Sequence, residues 1–193
     1  MKKKICFSLF LGILTLNVLA QKDERVIGVF KTGDDFNEGK VSFLIDCKSK
    51  KNRIKLNDFF CKPYITIKQN DSSYKILKST LYGYKTCNNQ IYRFDNKKEL
   101  LVLNQGEQIL IYKQLNTKVR EDARINVTNK YFSTESNNSI QKLTIKNLKA
   151  SFPNNTNFQH LIDGSFQYNT DLGGFDNINK MYKINWFLKL SMK

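Results

Sequence analysis

The chain has 193 residues and carries 32 lysines and arginines against 17 aspartates and glutamates, a formal net charge of +15. Its 40% hydrophobic content supplies enough apolar surface for a genuine core, and the excess of positive charge favours anionic partners. The single histidine excludes metal sites that are built from several histidines.

The first twenty residues have the three-part pattern of a secretory signal peptide. Lysines at positions 2–4 precede an apolar run over residues 5–16, and the small residues Val18 and Ala20 stand where a signal peptidase reads the chain. The run is shorter than the ~20 residues that a membrane-spanning helix needs, so the pattern predicts cleavage before Gln21 rather than an anchor. We therefore expect an exported protein, periplasmic or secreted, whose partners do not include nucleic acid.

Three cysteines follow the predicted leader: Cys47, Cys61 and Cys87. An oxidising compartment permits one disulfide among them and leaves one thiol. Cys61 follows two phenylalanines and suits a buried thiol, whereas Cys47 and Cys87 stand beside polar turn residues, so we favour Cys47–Cys87 over Cys47–Cys61. No Cys-x-x-Cys pair is present and His160 is distant in sequence from every cysteine, so no metal site and no cofactor is assigned.

Residues 21–114 predict a β-rich domain, an N-terminal antiparallel β meander that closes as a small barrel or packs as a curved sheet. Thr32, with Asp35 at the reciprocal position, caps a short helical turn between the first two strands. Gly83 lies within a predicted strand and indicates a bulge or a close backbone approach. Polar turn residues separate the later strands into hairpins over residues 64–77, 81–94 and 100–112.

The character of the sequence changes after residue 114. Residues 115–139 form a charged connecting segment, and residues 140–193 predict a helical segment of three helices that packs on the β part. The second helix is broken at Gly164, and the third runs to about Leu190. Strands first and helices last give an α+β protein. Each helix begins at a residue that can cap it: Thr144, Thr156 and Asp176.

Three segments carry a resemblance to a known group of proteins. They are Leu-Tyr-Gly-Tyr-Lys with Ile-Tyr-Arg-Phe in residues 81–94, Leu-Thr-Ile-Lys-Asn-Leu-Lys with Phe-Pro-Asn in residues 143–154, and Phe-Asp with Met-Tyr-Lys-Ile-Asn in residues 175–185. Together they resemble a family of uncharacterised exported proteins of Gram-negative bacteria over most of the mature chain. The resemblance implies export and this domain layout, and it assigns no site residue, because that family has no established activity.

Catalytic motifs are weak throughout the chain. His160 and Asp163 lie close to one face of a predicted helix, but no Gly-x-Ser-x-Gly nucleophile accompanies them. His-Glu-x-x-His, phosphate-loop and dinucleotide motifs are absent. No catalytic residue is therefore assigned. Acids that glycoside hydrolysis would need in pairs, and that the sequence does not bring together, are Asp34, Asp35, Glu99 and Glu107.

Tyr82, Tyr84 and Tyr92 are the candidate ligand-facing aromatic residues, because outward tyrosines in a meander stack on sugar rings or peptides. The favoured interpretation of these tyrosines is cross-strand pairing in the core. The one dense basic cluster, residues 48–53, is interpreted as a solvated loop in preference to a binding patch.

These features favour a non-enzymatic exported module that binds an anionic envelope component, such as an anionic glycan, or an envelope protein. Binding uses a basic, aromatic-bearing sheet. A small hydrolase acting on a cell-envelope or polysaccharide substrate is the alternative. A weaker hypothesis is peripheral membrane contact by the last helix, whose lysines accompany Trp186 and Phe187.

Overall fold

The computed structural model of the chain describes residues 27–48, 52–56, 62–69, 71–96, 98–114 and 129–192. The predicted signal peptide, Cys61 and residues 115–128 lie outside them. The described elements are, in chain order, β1 (Gly28–Phe30), α1 (Gly33–Asn37), β2 (Phe43–Leu44), β3 (Arg53–Lys55), β4 (Tyr64–Gln69), β5 (Ser72–Leu77), β6 (Gly83–Lys85), β7 (Ile91–Asp95), β8 (Lys98–Val102), β9 (Leu110–Gln114), β10 (Lys130–Ser133), β11 (Gln141–Lys142), α2 (Ile145–Ala150), α3 (Thr156–Ser165), β12 (Phe175–Asp176), β13 (Met181–Tyr182) and α4 (Lys183–Ser191), with 3-10 helices at Lys78–Thr80 and Asn169–Gly173.

Eight of these strands form the large sheet, in the order β11-β10-β9-β8-β7-β6-β1-β2, with every neighbouring pair antiparallel. From β6 to β11 each strand pairs with the next strand along the chain. The strands β11 and β2 remain at opposite edges, so the described residues form an open sheet and no closed barrel. Sheets and helices together give an α+β architecture.

Three further strands, β3, β4 and β5, form the small sheet, with β4 in the centre. Ile65 and Ile67 of β4 are buried, while the residues that alternate with them are more exposed. Both isoleucines belong to a core cluster with Val29, Tyr84 and Phe94 of the large sheet. The small sheet therefore covers one face of the large sheet around β1, β6 and β7.

The helices α2, α3 and α4 cover the large sheet at β9 and β10. Ile111 and Phe132 are register partners on these strands, and they pack with Leu148 of α2, Phe158 of α3 and Leu188 of α4. The short hairpin of β12 and β13 lies between α3 and α4. The segment after residue 140 is thus not purely helical, and the prediction of a plain three-helix segment is not confirmed.

The opposite face of the large sheet is covered by α1, whose Phe36 packs with Phe30 and Tyr82. The Thr32 side chain accepts a hydrogen bond from the Asp35 N–H and the Asp35 carboxylate accepts one from the Thr32 N–H, which is the predicted capping box. Gly83 makes the predicted close approach, because a Cβ atom there would lie 2.0 Å from the carbonyl oxygen of Tyr92 on β7.

Helix α3 begins one residue from its predicted cap. Asn155, not Thr156, caps it by accepting a hydrogen bond from the Phe158 N–H. Gly164 does not break α3, which ends at Ser165. Helix α2 has the predicted cap, because the Thr144 hydroxyl accepts a hydrogen bond from the Asn147 N–H.

The predicted start of the last helix at Asp176 is wrong. Asp176 does accept hydrogen bonds from the backbone N–H groups of Ile178 and Asn179, as a helix cap would. Lys180 then takes a left-handed φ of 55°, which turns the chain into the β12–β13 hairpin instead. As a result α4 begins only at Lys183.

Cys47 and Cys87 are joined by a disulfide, with their Cα atoms 5.8 Å apart. This is the pair that the sequence favours over Cys47–Cys61. The two cysteines are 40 residues apart, and the loop between them contains all three strands of the small sheet. Closing a loop of this length lowers the entropy of the unfolded chain and contributes about 3–4 kcal/mol to stability.

Candidate anion-binding face

The structure buries the three candidate ligand-facing tyrosines. Tyr82, Tyr84 and Tyr92 are 8%, 4% and 9% exposed. Tyr84 and Tyr92 are register partners on β6 and β7, and their rings stack with centroids 5.0 Å apart. They form the cross-strand pair in the core that the sequence favours, and none of the three tyrosines presents its ring to solvent.

Tyr82 belongs to a buried polar cluster around Arg93, on the α1 side of the large sheet. The Arg93 guanidinium lies over the rings of Tyr82 and Tyr112, 4.9 and 5.5 Å from their centroids. It donates hydrogen bonds to Tyr112 Oη, Ser133 Oγ and the Asn138 carbonyl oxygen. Arg93 is only 9% exposed, so neutral groups of the fold hold its charge.

The Tyr82 hydroxyl is the one fully buried side-chain polar atom of the described residues that lacks a hydrogen-bond partner. Burial raises the pKa of Tyr82 far above its ordinary value; nearby Tyr112 adds to the rise and Arg93 opposes it. Both groups are close enough to affect this pKa, yet neither meets the geometry of a hydrogen bond to the hydroxyl.

A second buried cation lies on the other face of the large sheet. Lys78 is 1% exposed, and its Nζ donates to Glu99 Oε1 at 2.7 Å. The Tyr84 hydroxyl donates to the other carboxylate oxygen of Glu99 at 2.8 Å. Lys78 also lies over the Phe94 ring. This charge is therefore neutralised where it is buried, as a stable interior requires.

Each of the four acids that hydrolysis would need accepts a hydrogen bond from a group that is not an acid. Asp34 accepts a hydrogen bond from Asn137, Asp35 from Thr32, Glu99 from Lys78 and Glu107 from Asn104.

Asp163 forms an ion pair with Lys149 rather than orienting the His160 ring. His160 lines an open groove of about 440 Å³ with Asn157, Leu161, Leu190 and Ser191. The described residues that line this groove include no carboxylate.

The cations on the outer side of the small sheet, of which Arg53 and Lys75 are exposed and Lys68 is half-buried, are arranged differently from these buried ones. Ile54, Ile65, Ile67 and Ile76 pack inward, so the residues that alternate with them point outward. We call the outward side the basic face. Its residues are Arg53, Lys55, Tyr64, Thr66, Lys68, Ser73, Lys75 and Leu77.

Strand register places the cations of the basic face side by side. Arg53 on β3 pairs directly with Lys68 on β4, which in turn pairs with Ser73 on β5. In the next row Thr66 lies between Lys55 and Lys75. Directly paired side chains have Cβ atoms about 5 Å apart and diagonal neighbours are about 7–8 Å apart, so Lys68 has a cation both beside it and diagonally across from it.

The basic face contains no Asp or Glu. Arg53, Lys68 and Lys75 form no ion pair with a carboxylate of the described residues. The Lys75 ammonium instead lies 5.3 Å from the centre of the Tyr64 ring, in the third row of the face. Like charges directly opposite each other destabilise a sheet, so this arrangement lowers stability when no anion lies across it.

Another cross-strand pair of like charge, Lys113 and Lys130, joins β9 and β10. Burial and the nearby Lys113 lower the pKa of Lys130. Lys130 Nζ donates to the carbonyl oxygen of Gly173 at 3.0 Å, so the fold itself binds this ammonium. The pair therefore has an internal role, and the basic face is the better candidate for external anions.

Sequence reasoning missed the basic face. Of the dense cluster at residues 48–53, the strands use only Arg53, while Lys68 and Lys75 come from positions that are dispersed in the sequence. The available signal was the alternation of inward isoleucines with outward cations along each strand. Its meaning depends on the register of β3 against β4, which pairs residues as far apart in the sequence as Arg53 and Lys68.

No helix of the described residues is long and apolar enough to cross a bilayer. Among the same residues, no three or more His, Cys, Asp or Glu side chains gather in a way that could hold a metal ion. Comparisons with protein-family models, with curated proteins and with solved structures find no match. The resemblance to exported proteins of Gram-negative bacteria therefore stays a prediction.

Proposed function

We propose that this protein is an exported, non-enzymatic module that binds an anionic component of the cell envelope on the basic face. The observation that carries the proposal is the direct pairing of Arg53 with Lys68, with Lys75 at the next diagonal and no Asp or Glu among the residues that define the face. Export is proposed from the leader pattern of the first twenty residues.

Anion binding on the basic face depends on several cations acting together. A single exposed ion pair contributes about 0–1 kcal/mol, because water and salt screen it. Cations at adjacent positions of one sheet add their potentials, and an anion that lies among them also removes their mutual repulsion. The basic face therefore gains more from an anion than isolated lysines elsewhere on the surface do.

The scaffold supports this role because it holds the cations in position. Ile54, Ile65 and Ile76 anchor the three strands in the core beneath the face. The disulfide between Cys47 and Cys87 closes the segment that contains them. A preorganised array loses little conformational entropy on binding, and this loss is a major cost of recognition.

The alternative of a small hydrolase gains no specific support. The four candidate acids each have a non-acidic partner, and the groove beside His160 has no carboxylate. An acidic segment of an envelope protein offers the basic face the same chemistry as a glycan or lipid phosphate, and it belongs to the same proposal.

The test compares two triple variants of equal net charge. The first is Arg53→Gln/Lys68→Gln/Lys75→Gln on the basic face. The second, Lys142→Gln/Lys146→Gln/Lys189→Gln, neutralises exposed lysines on β11, α2 and α4. Binding is measured by titration calorimetry with polygalacturonate and by cosedimentation with phosphatidylglycerol vesicles.

We expect the native protein to bind at least one of these probes and the first variant to lose about tenfold or more in affinity, while the control stays within about twofold. Affinity should also fall about tenfold between about 50 and 200 mM salt, because binding releases counterions. Equal losses in both triple variants, or no binding to either probe, would overturn the proposal.

A further inference from the structure

We infer that the ligand of the basic face is a linear acidic polysaccharide whose chain lies across the three strands of the small sheet. This inference rests on the proposed function and names the class of its ligand. Three observations support it: the spread of the cations, the hydroxyl groups between them, and the small apolar content of the face.

The cations extend over more space than one small anion can fill. Arg53 on β3 and Lys75 on β5 are separated by two strand spacings, about 10 Å. A single carboxylate or phosphate between Arg53 and Lys68 therefore contacts Lys75 only if these long side chains converge on it. A polymer with recurring anionic groups contacts all of them, and each contact after the first is intramolecular and gains from a high effective concentration.

Hydroxyl groups alternate with the cations on the same face. Ser73 is the register partner of Lys68, and Thr66 separates Lys55 from Lys75. Acidic sugars present carboxylate or sulfate groups together with hydroxyls that donate and accept hydrogen bonds. The mixed rows of the basic face therefore match an acidic glycan better than a ligand that carries only phosphates.

The apolar residues of the face do not suit a membrane or a nucleic acid. Tyr64 and Leu77 are register partners and stand in a single row at one end. The Tyr64 ring lies 5.3 Å from the Lys75 ammonium, so a cation already covers the aromatic ring of the basic face; Tyr74, which is 50% exposed, lies on the other side of β5. Surface-bound proteins bury a broad apolar face in the bilayer, and binders of single-stranded nucleic acid stack bases on open aromatic rings.

The test measures affinity against ligand length with galacturonate oligomers. Titration calorimetry with the disaccharide, the tetrasaccharide, a decasaccharide and the polymer is compared with neutral dextran, phosphatidylglycerol vesicles and duplex DNA. We expect affinity to rise about a hundredfold from disaccharide to decasaccharide, because additional anionic groups engage additional cations. Dextran should not bind, and the variant Arg53→Gln/Lys68→Gln/Lys75→Gln should lose most of the length dependence.

A second measurement places the glycan on the face without any substitution. Lysine acetylation is followed by mass spectrometry with and without the decasaccharide. We expect protection of Lys68 and Lys75, while Lys142 and Lys146 react equally in both samples. Protection confined to the control lysines would overturn the inference even if the polymer binds.

The remaining outcomes separate the inference from the proposed function. Vesicles or DNA that bind more tightly than the decasaccharide, with the basic face still required, would refute the glycan and leave the proposed function standing. Affinity that is independent of oligomer length would also refute it, because one anionic group would then be sufficient. Failure of every anionic probe would overturn both.

Discussion

The molecule holds its cations in two contrasting ways. Lys78 and Arg93 are buried, and each donates to oxygen atoms of neighbouring residues. Arg53, Lys68 and Lys75 stand side by side on the basic face without an acid among them. The first arrangement supports the fold because a buried charge left without partners is costly. The second places like charges opposite each other, which reduces stability, and we propose that an anionic partner neutralises them.

This contrast means that residue type alone does not predict the effect of a substitution. Lys75 and Lys78 are three residues apart, yet one side chain points to solvent over Tyr64 and the other is 1% exposed against Glu99. The same substitution is therefore made at a buried cation and at an outer cation of the same residue type. The difference between the two free energies of unfolding measures how much the buried arrangement contributes to stability.

The largest effect is expected for Lys78→Met. Removing the ammonium leaves the Glu99 carboxylate in a largely buried site, where its side chain is 15% exposed. Loss of one member of a buried pair costs about 3–5 kcal/mol. Lys75→Met, the matched control, should stay within about 0.5 kcal/mol of the native protein. Urea unfolding at neutral pH measures both free energies of unfolding.

A double variant checks that the cost in Lys78→Met comes from the stranded carboxylate. In Lys78→Met/Glu99→Gln the remaining side chain is neutral, so the double variant should be more stable than Lys78→Met alone. Equal stability of the single and double variants would show that packing of the lysine stem, rather than charge, accounts for the loss.

The next effect is expected for Arg93→Met, compared with Arg53→Met. Arg93→Met removes hydrogen bonds to Tyr112, Ser133 and Asn138 and the contact with two aromatic rings. Since Tyr112 and Ser133 still bond each other, we expect a loss of about 2–3 kcal/mol. Arg53→Met should be neutral or slightly stabilising, because it removes a like-charge neighbour of Lys68. A loss in Arg53→Met equal to that in Arg93→Met would contradict the comparison.

A smaller effect, of opposite sign, is expected for Tyr82→Phe. The buried hydroxyl has no hydrogen-bond partner among the residues that the structure describes, so removing it should stabilise the protein by about 1 kcal/mol at neutral pH. The pKa of Tyr82 is raised in the folded state, so the folded protein retains this proton more strongly than the unfolded chain does. The stability that this retained proton gives the native protein is fully present below the pKa of about 10 that tyrosine has in the unfolded chain. It is lost as the pH rises from there toward the raised pKa of the folded state.

Thermal unfolding from pH 7 to 11 measures that dependence. Stability of the native protein should fall above pH 10. Tyr82→Phe should fall less steeply, since it has no phenol to ionise at this site. Tyr92→Phe is an informative comparison, because burial raises the pKa of Tyr92 but its hydroxyl has a partner in Gln90. That variant should gain no stability at neutral pH.

Local signals in the sequence predict much of this fold. The capping box of Thr32 and Asp35, the cap at Thr144, the three later hairpins and the close backbone approach at Gly83 all follow from local sequence signals, and the structure has each of them. The wrong prediction that the last helix begins at Asp176 also came from a local signal. Its side chain makes the hydrogen bonds of a cap, but a left-handed residue four positions later turns the chain into a hairpin.

The candidate site is less predictable because it depends on contacts that are distant in sequence. Tyr82 and Tyr84 belong to different core clusters on opposite sides of the large sheet, and whether either reaches solvent is decided by α1 on one face and the small sheet on the other. The basic face requires the register of Arg53 against Lys68, two residues separated by a stretch that local periodicity does not describe. Composition indicated an anionic partner, but only tertiary packing places the cations together.

The smallest change in stability is expected for substitutions of Lys68, and these distinguish binding from stability most directly because the two should change in opposite directions. In Lys68→Glu a carboxylate faces Arg53, so a like-charge pair becomes an opposite-charge pair, and stability should rise by about 0.5–1 kcal/mol. Lys68→Gln removes the repulsion without adding attraction and should gain about half as much. Affinity for polygalacturonate should change in the reverse order, highest in the native protein and lowest in Lys68→Glu. Urea unfolding and calorimetry on the same three proteins measure both series, and added salt should compress each of them. If Lys68→Glu were less stable than the native protein, Lys68 would have a structural partner, and the basic face would not be an array held open for a ligand.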